Sequence, residues 1–141
     1  MLSTKKEKSP SAGLILVVDD NEINRYVTNK ILTQCGFEVD LAEDGQIAVD
    51  KVATKQYDLI LMDLHMPILD GLKATEIIRS YNQGEFSELP IVALTCSISN
   101  RDLDQIGKAG LTDYIRKPFV PDHLKEKVRN LLGLHSTCPE S

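Results

Sequence analysis

The chain has 141 residues, 42% of them apolar and 26% charged, with a formal net charge of -5. One domain with a packed core fits that length, and a fibre or a disordered chain does not fit the composition. The acid excess argues against nucleic-acid binding through bulk charge, and the longest apolar run, Leu14–Val18, is far too short to span a bilayer.

Residues 1–12 are polar and without periodicity, and read as a flexible leader. They are basic but lack the apolar stretch of a signal peptide, so a cytoplasmic location is expected. Leu14–Val18 reads as a strand buried on both faces. Asn21 then caps a helix running to about Cys35, with Ile23, Val27 and Ile31 as its apolar face and Gly36 as its stop. Phe37–Leu41 alternates as a strand, and Asp44–Gly45 leads into a helix with Ala48, Val49 and Val52 inward. Leu59–Met62 is a third strand core. Pro67 breaks the chain, and Asp70–Gly71 opens a helix to about Ser80. Ile91–Leu94 is a fourth strand behind Pro90, Arg101–Ala109 a polar helix with few apolar anchors, and Tyr114–Arg116 a short fifth strand. Pro121 starts a last helix whose stripe is Leu124, Val128, Leu131 and Leu132, and residues 134–141 read as a frayed tail. The three cysteines, Cys35, Cys96 and Cys138, fit neither a disulfide framework nor a zinc site. They read as reduced thiols, Cys35 and Cys96 at or near the core.

Five strand–helix units imply a parallel sheet covered on both faces, and right-handed crossovers leave few topologies. The doubly wound order 2-1-3-4-5 is expected, with a ligand at the carboxyl ends of strands 1 and 3. Strand 1 ends in Asp19–Asp20, strand 3 in Asp63, strand 4 in Thr95 and strand 5 in Lys117. Three carboxylates in a small volume repel, so they should carry raised pKa values or hold a cation. Oxygen ligands suit a hard divalent ion such as Mg²⁺, which takes one or two carboxylates, waters and a phosphate. Three acids, a hydroxyl and a lysine together suit a phosphoryl group bound to a carboxylate.

The stretches VVDDN at 17–21, LMDLHMPILDG at 61–71, ALT at 93–95 and DYIRKPF at 113–119 resemble, in order and spacing, the motifs of response-regulator receiver domains. DDNEINR and the M-P-x-x-D-G run look most like the receivers of hybrid histidine kinases and phosphorelays. The resemblance covers residues 13–133 and implies a flavodoxin-like fold. It implies Asp63 as phosphoacceptor and Mg²⁺ (or Mn²⁺) held by Asp20 directly, Asp19 largely through water, Asp63 and the backbone carbonyl of His65. It further implies Thr95 as switch hydroxyl, Lys117 as the lysine of the pattern, Tyr114 as switch aromatic and a cis Lys117–Pro118 peptide. Cys96 stands where a small residue is usual, and His65 places an imidazole beside the site.

Read this way, the chain takes a phosphoryl group from a phosphohistidine of a histidine kinase or histidine phosphotransfer protein and switches a partner interaction. It is not an enzyme beyond its own phosphorylation and dephosphorylation. The alternatives are a phosphoryl shuttle or sink without output, and a receiver that is either stand-alone or excised from a hybrid kinase. A haloacid-dehalogenase-type phosphatase needs an acid where His65 stands; a flavin carrier needs a phosphate loop where DDNEIN stands. A degenerate receiver would lack an acid or the lysine. The donor should dock on a rim of Ile23, Pro118 and Phe119 around Asp63. No nucleic acid is expected on this domain and no membrane insertion; a phosphorylation-dependent dimer is allowed.

Overall fold

The computed structural model describes residues 12–96 and 98–134. Apart from Ala12 and Leu134, the expected leader and tail fall outside them, as does Cys138. The elements alternate from end to end: β1 (Leu14–Val18), α1 (Glu22–Gln34), β2 (Glu38–Ala42), α2 (Gly45–Thr54), β3 (Leu59–Asp63), α3 (Gly71–Ser80), β4 (Ile91–Thr95), α4 (Asn100–Ala109), β5 (Asp113–Arg116) and α5 (Pro121–Leu131). One 3₁₀ turn, Tyr81–Gln83, follows α3. The strands form one parallel sheet in the order β2-β1-β3-β4-β5, the flavodoxin-like arrangement expected from the sequence. No helix among the described residues is long and apolar enough to cross a membrane.

Successive strand residues point to opposite faces, and in the three central strands β1, β3 and β4 both faces are buried, which is why those strands read as unbroken apolar runs, while the edge strands β2 and β5 keep polar, partly exposed positions. Leu16, Val18, Ile60, Met62, Ile91 and Ala93 pack on one side against Ala48, Val52, Ala74, Ile78 and Ile106 of α2, α3 and α4. Ile15, Val17, Leu59, Leu61, Val92 and Leu94 pack on the other against Ile31, Leu32, Leu124 and Val128 of α1 and α5. Side-chain caps start four helices. Asn21, Asp44 and Asp70 each accept from the backbone N–H three residues on, and Ser99 and Asp102 form a reciprocal capping box.

The inward face of α1 differs from the expected one. Ile23 and Val27 are 71% and 45% exposed, and the buried stripe is Thr28, Ile31, Leu32 and Cys35. Those four positions keep the i, i+3, i+4, i+7 spacing of one helix face, whereas a strict four-residue step drifts around a helix of 3.6 residues per turn. The cysteines also correct the expectation: Cys35 is buried and disulfide-bonded, and Cys96 is a free thiol at the surface, not in the core.

Away from the carboxyl rim, Arg79 of α3 ties three segments together. Its guanidinium donates to the carbonyls of Phe86 and Leu89 at 2.6 Å each, to Gly110 O at 2.8 Å and to Thr112 Oγ1 at 3.2 Å. The planar fork satisfies carbonyls at the carboxyl end of α4 and before β4 in a way no other side chain matches.

Candidate functional site

The parallel register brings every strand's carboxyl end to one rim. Val18 stands opposite Met62, Asp63 opposite Leu94 and Thr95 opposite Arg116. The residue just past β1 and the last residues of β3 and β4 are therefore neighbours.

Asp19 is 1% exposed and held at four points. Its N–H donates to Ala42 O at 3.1 Å, and its Oδ1 accepts from the Asn21 N–H at 3.0 Å. Its Oδ2 accepts from Lys117 Nζ at 3.0 Å, and its carbonyl accepts from Arg25 Nη1 at 2.8 Å. Asp20 is exposed. Asp63 is 5% exposed; its Oδ1 accepts from the His65 N–H at 3.3 Å and lies 3.6 Å from Lys117 Nζ. Carboxylate oxygens of Asp19, Asp20 and Asp63 all lie within 4.8 Å of one another. Burial pushes the Asp63 carboxyl above its usual range; the Lys117 ammonium and the His65 N–H pull it down, and the Asp19 and Asp20 charges push it up.

Thr95 is 2% exposed at the end of β4, and its carbonyl accepts from the Lys117 N–H at 2.8 Å, so β5 delivers Lys117 beside it. The Lys117–Pro118 peptide is cis, as the resemblance implied. Tyr114 is half-buried in β5 and packs against the core. The His65 residue is exposed, and what it directs at Asp63 is its main chain. Between α1 and the loop after β5 lies a cavity of about 370 Å³ lined by Asp19, by Val27 and Thr28 of α1 and by Lys117 and Phe119 of the loop. Cys96 also lines it. Exposed Ile23 and Pro118 and half-buried Phe119 belong to the two elements that flank this opening.

Two contributors were missed in the sequence. Gly71, the first residue of α3, lies so close to β3 that a Cβ there would overlap the Asp63 carbonyl oxygen and come within 2.9 Å of Leu64 Cα. The D-G pair at 70–71 carried that signal, but only as a helix start. Arg25 touches the Asp19 carbonyl, and nothing in its spacing from the acidic pair announced it.

The donor set is all oxygen, with three carboxylates against one paired ammonium, and suits a hard divalent cation. The acidic triad could therefore bind a metal.

Residues 15–129 match the response regulator receiver domain family. The chain is 38% identical over 119 residues, 81% of its length, to hybrid signal transduction histidine kinase I of Dictyostelium discoideum. It is 41% identical over 133 residues, 87% of its length, to transcription factor prr1 of Schizosaccharomyces pombe. It spans 7% and 24% of the lengths of these two relatives. Among solved structures, the receiver domain of a Pseudomonas aeruginosa sensor histidine kinase superposes with a TM-score of 0.78 at 37% identity, covering 86% of this chain and 98% of that one. In that structure a magnesium ion is coordinated in the active-site cleft. The chain belongs to the response regulator receiver domain family, and a phosphodonor kinase is the partner that membership implies.

Proposed function

We propose that Asp63 accepts a phosphoryl group from a phosphohistidine on a histidine kinase or a histidine phosphotransfer protein. The observation that carries this reading is the Asp63 carboxylate itself, buried at the end of β3, close to Lys117 and to two further acids. An Asp63 oxygen bonds to phosphorus as the phosphorus–nitrogen bond to the donor imidazole breaks, and the imidazole leaves with the electron pair and takes up a proton. Lys117 is in reach to hold a phosphoryl oxygen, and burial excludes bulk water from the carboxylate. Asp20, Asp63, the His65 carbonyl and, through water, Asp19 would hold Mg²⁺ or Mn²⁺. When bound, the ion offsets the charge of the incoming phosphoryl group.

The donor must approach Asp63 in line, and the exposure of Ile23 and the cavity lined by Pro118 and Phe119 support docking on α1 and the loop after β5. Thr95 and Tyr114 serve as the switch pair. The function is that of a signalling module in the cytoplasm, with self-phosphorylation and self-dephosphorylation as its only chemistry. The output, and the longer polypeptide to which such a domain belongs in its relatives, follow from partners and not from this site. Intact mass after incubation with acetyl phosphate and Mg²⁺ tests the reading. A gain of one phosphoryl group, absent in Asp63→Asn and in EDTA, is expected; labelling that survives Asp63→Asn overturns it.

A further inference from the structure

We infer that Arg25 is a positioning residue for the acidic pair: it fixes the Asp19–Asp20 peptide and through it the direction of the Asp20 carboxylate. Val18 is the last β1 residue in register with both neighbouring strands, at Ala42 and Met62. The next carbonyl, that of Asp19, therefore has no strand to accept from, yet its residue is almost wholly buried. An unpaired buried carbonyl is costly. The Arg25 guanidinium meets it at 2.8 Å with a charge-assisted hydrogen bond.

That carbonyl shares one rigid plane with the Asp20 N–H. Holding the C=O anchors that plane and with it the Asp20 Cα; the Asn21 N–H, bonded to Asp19 Oδ1 at 3.0 Å, holds the peptide on the other side, so the Asp20 Cα–Cβ bond is set from both sides. Asp20 needs this help: among the described residues its exposed side chain makes no hydrogen bond, whereas Asp19 is also held at its N–H and both carboxylate oxygens. Arg25 acts from a rigid base. Its own N–H donates to Asn21 O within the capped first turn of α1, and α1 is anchored in the core by Thr28, Ile31 and Leu32.

A competing account makes Arg25 only a counter-charge for the acids. The two accounts give opposite signs for a cation. Removing a nearby positive charge tightens cation binding, whereas removing a group that orients a ligand weakens it.

The inference rests on the metal reading above, and the experiment separates the two. Mg²⁺ is titrated into wild type, Arg25→Gln and Arg25→Lys, with amide shifts of Asp20 and Asp63 as readout. The ¹⁵N order parameters of Asp20 and Asn21 are measured in EDTA. Arg25→Gln is expected to bind Mg²⁺ about tenfold more weakly and to lose order at Asp20 without metal. Arg25→Lys, with the charge but not the planar fork, should fall between. Equal or tighter Mg²⁺ binding by Arg25→Gln overturns the inference. If wild type itself takes no Mg²⁺, the metal reading fails. The EDTA order parameters then decide alone: lowered in Arg25→Gln they support the positioning role, unchanged they overturn it.

Discussion

Lys117 and Asp19 stand 98 residues apart in sequence, and the lysine ammonium donates to the buried carboxylate at 3.0 Å. Asp63 lies farther from the same ammonium, at 3.6 Å. Without a phosphoryl group, then, the lysine rests chiefly on the acid that is not the proposed acceptor. It need turn only a short way to follow a phosphoryl oxygen on Asp63.

Lys117→Ala should still fold but lose phosphoryl transfer from acetyl phosphate by roughly a hundredfold. The Asp19 carboxylate keeps its bond from Asn21 N–H, so the metal-free loss of stability should be about 1–3 kcal/mol, below that of a fully buried pair. Added Mg²⁺ should return part of it. Denaturant melts with and without Mg²⁺, beside the labelling rate, check this; a collapsed fold with transfer intact would make the lysine structural.

Asp63→Asn should raise the thermal midpoint of the metal-free protein at neutral pH. The Asp63 carboxyl is held above its usual range, first by burial. Between the unfolded and the folded pKa the native protein therefore binds more protons than the unfolded chain. The contribution of Asp63 is most favourable in acid and declines as pH rises through the folded value. Asparagine has no charge to bury, so the gain over wild type should shrink as pH falls. Melts in EDTA from about pH 4 to about pH 7 measure it; a gap that widens in acid would contradict the sign.

The switch reading predicts where a phosphoryl mimic is felt. A phosphoryl group adds roughly -1.5 to -2 charge and three acceptor oxygens at Asp63. Thr95, at the neighbouring strand end, can donate to one of them. Tyr114 and α4, whose buried residues are only Ile106 and Ala109, should respond. Beryllofluoride should shift amides at Thr95, 100–109 and Tyr114. Shifts confined to the loops around Asp20 and Asp63 would instead describe a phosphoryl shuttle or sink.

Gly71→Ala should destabilise by about 1–3 kcal/mol and slow phosphorylation, because the new methyl must displace the main chain carrying Asp63. Gly107→Ala is the control. It lies within α4 with no atom within 4 Å of the added Cβ, and should stabilise by about 0.5–1 kcal/mol. Equal effects of the two variants would remove the close-approach argument.

The sheet and the acids were legible because each rests on a signal the chain carries locally. Val17–Val18 before Asp19, and Leu59–Met62 before Asp63, mark buried strands by unbroken apolar runs and place the acids where each run stops. The face of α1 was not legible by the same route. Its buried stripe includes a threonine and a cysteine, while the conspicuous Ile23 and Val27 are exposed, Val27 along the cavity. Apolar spacing finds a core only when the helix has no second use for apolar residues. The roles of Arg25 and Gly71 are contacts to main-chain carbonyls, and a carbonyl has no letter in a sequence. The Cys35 disulfide is likewise invisible to spacing.

Arg79 has a mechanical consequence for α4. Its bond to Gly110 O grips that helix at the carboxyl end, and its bonds to Phe86 O, Leu89 O and Thr112 Oγ1 root the grip in the frame around β4 and β5. The other end of α4 begins at the Ser99–Asp102 capping box, and its buried residues, Ile106 and Ala109, lie toward Gly110. The helix is thus gripped at its Gly110 end, while Asn100 lies at the end next to the carboxyl rim of the sheet. If Thr95 acts as the switch proposed above, its movement reaches α4 at the end farthest from the Arg79 grip. Displacement should fade along the helix from Asn100 to Ala109, and Arg79→Lys should flatten that gradient.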